Sequence, residues 1–252
     1  PHEDEDVADA ILKILQEENI IIYPSAKAES VRQLADKHIQ LTVSVNNEKK
    51  ELSGTHLLIA AGRIPKTGSL QLQKTNVETD DNGYIKVNDK LETSMKEIYA
   101  LGDVKGGPAF THISYNDYIV IAKNLLENAD ATIAGRMVPY CMFTDPQLGR
   151  VGLTEKEARQ KGYNISVAKI PMSHVGRAVE ISETKGFLKA VVNNDDKQIL
   201  GVAILGAEGG ELMSLLQMAM TGHVPYNYLR EMIFAHPLYA ESLNNLFMQL
   251  DN

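Results

Sequence analysis

The run Leu57-Leu58-Ile59-Ala60-Ala61, closed by Gly62, is the strongest constraint on what this chain can fold into. It does not alternate, so an extended segment here carries apolar side chains on both faces. A strand of that kind needs cover on both sides, as in the middle of an α/β sheet. Ile98-Tyr99-Ala100-Leu101, closed by Gly102-Asp103, has the same character. A carboxylate just past such a strand lies at the carboxyl edge of the sheet, where ligands bind in open α/β folds.

Around these runs the pattern predicts shorter elements. Val7, Ala8, Ile11, Leu12 and Leu15 recur at helical spacing after an acidic start, and Asn19 suits the helix end. Ile20 to Tyr23 predicts a short buried strand. Ala28 to Val31, His38 to Val45 and Lys50 to Leu52 predict a small antiparallel set, with Asn46-Asn47 as a turn. A helix is expected from His112 to Leu126 with Thr111 as its N-cap. Beyond residue 137 the character changes. Val138–Phe143, Ile165–Ile170, Gly186–Val192 and Ile199–Leu205 predict strands, and Thr154 with Glu157 forms a capping-box pattern opening a helix to Lys161. Gly209–Thr221, Tyr226–Ile233 and Leu238–Leu250 predict helices. Strands in a group followed by helices in a group indicate an α+β domain. The expected fold class is thus α/β followed by α+β.

Composition narrows the function. A formal net charge of −8 and no Lys/Arg run longer than two residues argue against nucleic-acid binding through phosphates. No stretch reaches the ~18 apolar residues of a membrane span, and the start has neither the basic nor the apolar region of a signal peptide. The chain has one cysteine, Cys141, so no internal disulfide can form. Its apolar neighbours predict a buried structural thiol, and a reducing, cytoplasmic compartment is expected. His174 and His223 have no ligand-spaced partners, and no metal site is assigned. Met213, Met218 and Met220, interleaved with leucines, read as core or interface.

Two further arrangements carry chemistry. Arg63, after the strand and Gly62, can pair with a phosphate or a carboxylate. The helix opening at Thr111, eight residues after Asp103, presents free N–H groups and a positive dipole end to an electron-accepting group. In Phe234-Ala235-His236-Pro237-Leu238-Tyr239-Ala240-Glu241, Glu241 can fix the tautomer of His236, giving a general acid/base suited to a thiol.

These motifs, in this order, resemble the class I pyridine nucleotide-disulfide oxidoreductases, the family of glutathione reductase, lipoamide dehydrogenase and mercuric reductase. The resemblance covers the whole chain. It implies that residues 1–66 end an NAD(P) domain, 67–137 form a second FAD-contacting segment, and 138–252 form a C-terminal dimerisation domain. It further implies that Gly62 lies near the nicotinamide nucleotide, that Asp103 binds the ribityl chain of FAD, and that Ala109, Phe110, Thr111 and His112 lie along the flavin. His236 and Glu241 would be catalytic, reaching across a homodimer to the partner's redox disulfide. Leu238 and Ala240 depart from the usual hydroxyl residues of that segment. Phe110 to Tyr118 and Tyr226 to Phe234 most resemble the reactive-chlorine-resistance branch.

The Gly-rich turns for FAD and NAD(P) and the redox cysteine pair that a complete member needs do not occur in these 252 residues. The expectation is therefore part of a longer FAD-dependent NAD(P)H oxidoreductase, inactive and free of cofactor by itself. The acceptor (a disulfide, a metal ion or another small molecule) stays open, as does NADH against NADPH. A non-catalytic dimerisation module and an unrelated ligand-binding α/β protein are the alternatives.

Overall fold

The computed structural model describes residues 2–251 and divides into two compact units, residues 1–22 with 137–252, and residues 23–136. In the first unit, five antiparallel strands run in the order β4-β5-β8-β7-β6. They are β4 Tyr140–Met142, β5 Gln147–Gly152, β6 Ile165–Pro171, β7 Phe187–Asn193 and β8 Ile199–Gly206. The central strands are buried on both faces, every residue of β7 included. Register fixes which side chain faces which way. Leu188 pairs with Ile204 and Lys189 with Ala203, and strand alternation puts successive pairs on opposite faces.

One face packs on helices α4 (Gly176–Glu180), α5 (Gly209–Thr221) and α7 (Ser242–Met248), burying Ala178, Leu188, Ile204, Leu212, Leu216 and Phe247. The approach of α5 to β5 is as close as backbones allow. A Cβ on Gly149 would lie 2.2 Å from the carbonyl oxygen of Gly209, so no larger residue fits without moving the helix. The opposite face takes α1 (Glu5–Glu17), whose Val7 and Ile14, with Ala10 and Ile11, cover Leu148, Phe187, Ala203 and Leu205. The buried stripe therefore includes Ile14, which the sequence pattern did not select, and excludes Leu15. The compact units cut the segment 1–66 after Ile22: α1 belongs with the five-stranded sheet, and residues 23–66 lie in the second unit.

Charges finish the docking of α1. Asp4 stands at its N-cap position without capping it. The Asp4 carboxylate instead accepts the amide N–H groups of Glu155 and Lys156, at 3.0 and 3.2 Å, at the start of α3 (Glu155–Gln160). Lys189, 3% exposed, bridges Asp4, Asp6 and Glu155 at 2.9–3.1 Å. Beside it Arg150, also buried, donates to Glu3 at 3.0 Å and to the Val202 carbonyl at 2.8 Å. Thr154 and Glu157 make the predicted capping box.

The second unit opens with a three-stranded antiparallel meander, β1 Lys27–Gln33, β2 Ile39–Val45 and β3 Glu48–Gly54. Its turn at Asn46-Asn47 has two positive φ angles, 52° and 68°, as a tight hairpin requires. Residues 68–105 are turns and isolated bridges around a small core of Val77, Ile85 and Ala100. Helix α2 (Thr111–Glu127) follows. Three expectations fail here. Ile20 to Tyr23 and Leu57 to Ala61 are not strands, and Ile98 to Leu101 contributes only the bridge between Glu92 and Tyr99. Leu58 and Ile59 are 90% and 78% exposed. Among the described residues no segment offers the first two runs a ladder, and an extended apolar run without hydrogen-bonding neighbours is not a stable strand.

Candidate functional site

Asp103 is placed by a buried ionic network that the sequence reading missed. The chain turns at Gly102–Lys105, a short 3₁₀ segment carrying Asp103. The Gly102 N–H donates to the Asp117 carboxylate at 2.8 Å. Asp117 is fully buried on α2 and also pairs with Lys105 at 3.4 Å and Arg136 at 2.6 Å. The turn is thereby tied to the first turns of α2. A signal existed in the sequence: Asp117 lies on the same stripe as Ile113 and Val120, the buried face of the helix. A carboxylate on an apolar stripe has to be paired.

The turn and the helix start then frame a cavity of about 580 Å³, lined among others by Arg63, Asp103, Ala109, Phe110 and Thr111. Arg63 Nη1 lies 3.0 Å from Asp103 Oδ2 and donates to the Ala109 carbonyl at 3.3 Å. Both side chains are more than half exposed. Such a pair is worth under about 1 kcal/mol, so a hydroxyl-bearing ligand can take Asp103 over cheaply. Thr111 is the first residue of α2 and not its N-cap; Phe110 holds that position with extended backbone and no side-chain cap. No side-chain oxygen caps this helix start, and the Ile113 and Ser114 N–H groups both donate to the Phe110 carbonyl. The Phe110 and His112 rings stack at 5.1 Å between centroids. His112 and Gly62 do not line this cavity. Gly62 has φ of +110°, with open space where a side chain would stand. An L-residue rarely adopts that conformation, which explains glycine at this corner.

The first unit holds the other predicted pair. His236 Nδ1 lies 2.9 Å from Glu241 Oε2 and 3.2 Å from Oε1. The imidazole side chain is 70% exposed. A carboxylate on Nδ1 keeps the proton there and leaves Nε2 as the exchanging nitrogen. Glu241 is in turn fixed at the N-cap position of α7. The Ser242 hydroxyl donates to the Tyr239 carbonyl at 2.5 Å inside the same loop. Leu238 and Ala240, where hydroxyl residues were expected, do not prevent the pairing. Cys141 is half-buried on β4 with Sγ 3.8 Å from Gln147 Oε1. Burial, with Glu211 nearby, pushes its thiol above the usual range, away from nucleophilic use.

Comparison with known proteins gives this geometry a family. Residues 1–117 match the model described as pyridine nucleotide-disulphide oxidoreductase, and residues 138–247 match the dimerisation domain of the same family. The chain belongs to the class I pyridine nucleotide-disulfide oxidoreductases. It is 38% identical over 248 residues to the probable pyridine nucleotide-disulfide oxidoreductase RclA of Escherichia coli, covering 98% of this chain and 55% of the relative. A dihydrolipoyl dehydrogenase of Thermus scotoductus is 33% identical, with 96% and 52% covered. Among solved structures, the Cu(II) complex of the HOCl-induced flavoprotein disulfide reductase RclA from E. coli superposes with a TM-score of 0.91 at 36% identity, covering 98% of this chain and 55% of that one. The chain thus spans about half the length of the relatives it matches. Among the described residues no helix is long and apolar enough to cross a membrane.

Proposed function

We propose that this chain is the C-terminal portion of an FAD-dependent NAD(P)H oxidoreductase that passes electrons through a redox disulfide to an acceptor. In this reading residues 1–66 end the NAD(P) domain, 67–137 contact FAD, and 138–252 form the homodimer interface. The cavity at Asp103 fits a flavin nucleotide. It offers a carboxylate for ribityl hydroxyls, the positive dipole end of α2 for an electron-rich ring edge, and the Phe110 ring beside it. Asp103, Ala109, Phe110, Thr111 and His112 would hold FAD, which supplies two-electron acceptance from a nicotinamide. Gly62 would lie along the nicotinamide nucleotide.

The observation that carries the catalytic reading is His236 Nδ1 held between both oxygens of Glu241 with its ring exposed. Glu241 orients the imidazole, and Nε2 takes and returns the proton of a cysteine thiol in the partner subunit. The chain by itself holds one cysteine, so it cannot supply that disulfide. As given, it retains neither FAD nor NAD(P) and does not turn over. A cytoplasmic location suits a free thiol and a dithiol reaction. The acceptor is a disulfide, a metal ion or another small molecule. The Cu(II)-bound relative supports including Cu(II) among the acceptors assayed.

Stopped-flow kinetics on the full-length enzyme test this function. His236→Ala should slow the acceptor half-reaction by on the order of 10²–10⁴ and leave flavin reduction by NAD(P)H within about twofold. Equal slowing of both halves would remove His236 from the thiol step.

A further inference from the structure

Helix α6 (Tyr226–Glu231) ends without a left-handed closing residue, since Met232 is extended with φ −66° and ψ 144°. The last carbonyls of a helix have no intrahelical donors and need partners from elsewhere. The side-chain amide of Asn244 provides them. Its Nδ2 donates to the carbonyls of Leu229 at 2.8 Å, Arg230 at 3.0 Å and Met232 at 3.0 Å. Asn244 sits three residues after Glu241, and its own N–H donates to the Glu241 carbonyl at 3.1 Å. One turn of α7 therefore does two jobs: Glu241 grips the imidazole and Asn244 stops α6. Only Ile233, Phe234 and Ala235 separate the clamped end of α6 from His236. The Tyr226 and Phe247 rings, 5.6 Å apart, close the same helix pair lower down.

We propose that Asn244 is a positioning residue for His236, fixing the take-off of the loop so that Nδ1 meets Glu241. The inference rests on the catalytic reading of His236 for its functional meaning, although the clamp itself is a matter of geometry. An amide has two protons for these three carbonyls. A carboxylate at the same place has none and would oppose them.

The test is imidazole ¹⁵N NMR on this 252-residue chain, with core methyl signals of Leu188, Ile204 and Leu216 as the folding control. The native chain should show His236 protonated on Nδ1 and bare on Nε2 at alkaline pH. Asn244→Ala and Asn244→Asp should lose the Nδ1–H signal in favour of Nε2–H while the core methyl spectrum holds, and Asn244→Gln should recover most of it. An unchanged His236 signature in Asn244→Ala and Asn244→Asp would overturn the proposal. So would loss of the core methyl spectrum in all three variants, because Asn244 would then hold the fold and not the loop. No turnover enters the readout. A His236 without a thiol role would leave the clamp standing, and a failed clamp would leave the half-reaction test intact.

Discussion

Lys189 Nζ lies 3.1 Å from Asp4 Oδ2, across 185 residues of sequence. Register requires it to face α1, because Lys189 pairs with Ala203 on the face that Phe187 and Leu205 share. Lys189→Ala would leave Asp4 without a cation and Asp6 and Glu155 with only Lys169 and Arg159. Removing one partner of a buried ion pair costs roughly 3–5 kcal/mol. Since these carboxylates keep some exposure, the lower end is expected. Urea unfolding followed at the first unit measures it, and a loss under about 1 kcal/mol would mean the cluster is solvated.

The same cluster sets a pH limit. For Asp4, burial alone would raise the carboxyl, but the Glu155 amide, the Lys189 ammonium and the Lys156 amide together hold it below its ordinary value. For Asp6, burial is overridden by Lys169 and Lys189. Glu155 is lowered by Arg159, against burial, and then by Lys189. Each folded value lies below the unfolded one of about 4. The stability they contribute is complete above that range and lost as pH falls through the folded values. Lys189 goes the other way: burial pulls it down, yet Asp6, Asp4 and Glu155 raise it overall. Its contribution is complete below the unfolded value of about 10.4 and lost only above it. Amide exchange should therefore show α1 protected from roughly pH 5 to 10 and released in acid, before β7 and β8 open. Release of α1 and the strands together would count against it.

Asp117 supports the turn of Asp103 from a fully buried position. Asp117→Ala would strand Lys105 and Arg136 and free the Gly102 amide. A loss of roughly 3 kcal/mol or more is expected, confined to the second unit. In the full-length enzyme, flavin affinity should fall with it. A variant of native stability would show that the turn holds itself.

The Tyr239 hydroxyl is buried without a hydrogen-bond partner among the described residues. Burial pushes its phenol above the usual value. Tyr239→Phe removes an unsatisfied group and keeps the ring, so stability should stay level or rise by up to about 1 kcal/mol. A clear loss in thermal unfolding would reveal a partner for that oxygen.

Purified as given, the chain should pass gel filtration without a flavin absorbance band. A stoichiometric band would mean that the cavity of about 580 Å³ at Asp103 holds FAD unaided.

Much of this was legible in the residues. Gly209–Thr221 is a helix to the residue. The strands from 165 onward shift by no more than one residue at either end, because β-branched and apolar runs bounded by turns admit few other states. His236 and Glu241 meet as their spacing suggested. What could not be read depends on distant partners. β5, Gln147–Gly152, carries two glycines and an arginine and looks like a turn until β4 and β8 pair with it. Leu57 to Ala61 has strong strand character and no ladder among the described residues. The burial of Lys189 and Arg150 follows from charges brought together by folding, which local pattern does not encode.

The docking of α1 has a kinetic consequence. Its apolar stripe waits for Leu148, Phe187, Ala203 and Leu205, and its carboxylates wait for Arg150 and Lys189. At a synthesis rate of roughly 5–20 residues per second, α1 leaves the ribosome on the order of ten seconds before β8 is complete. In that interval Val7 and Ile14 lack the sheet residues that cover them in the fold. Contacts of such long sequence separation form late and slowly. Weakening α1 should therefore speed its departure from the folded protein more than it delays the assembly of the sheet.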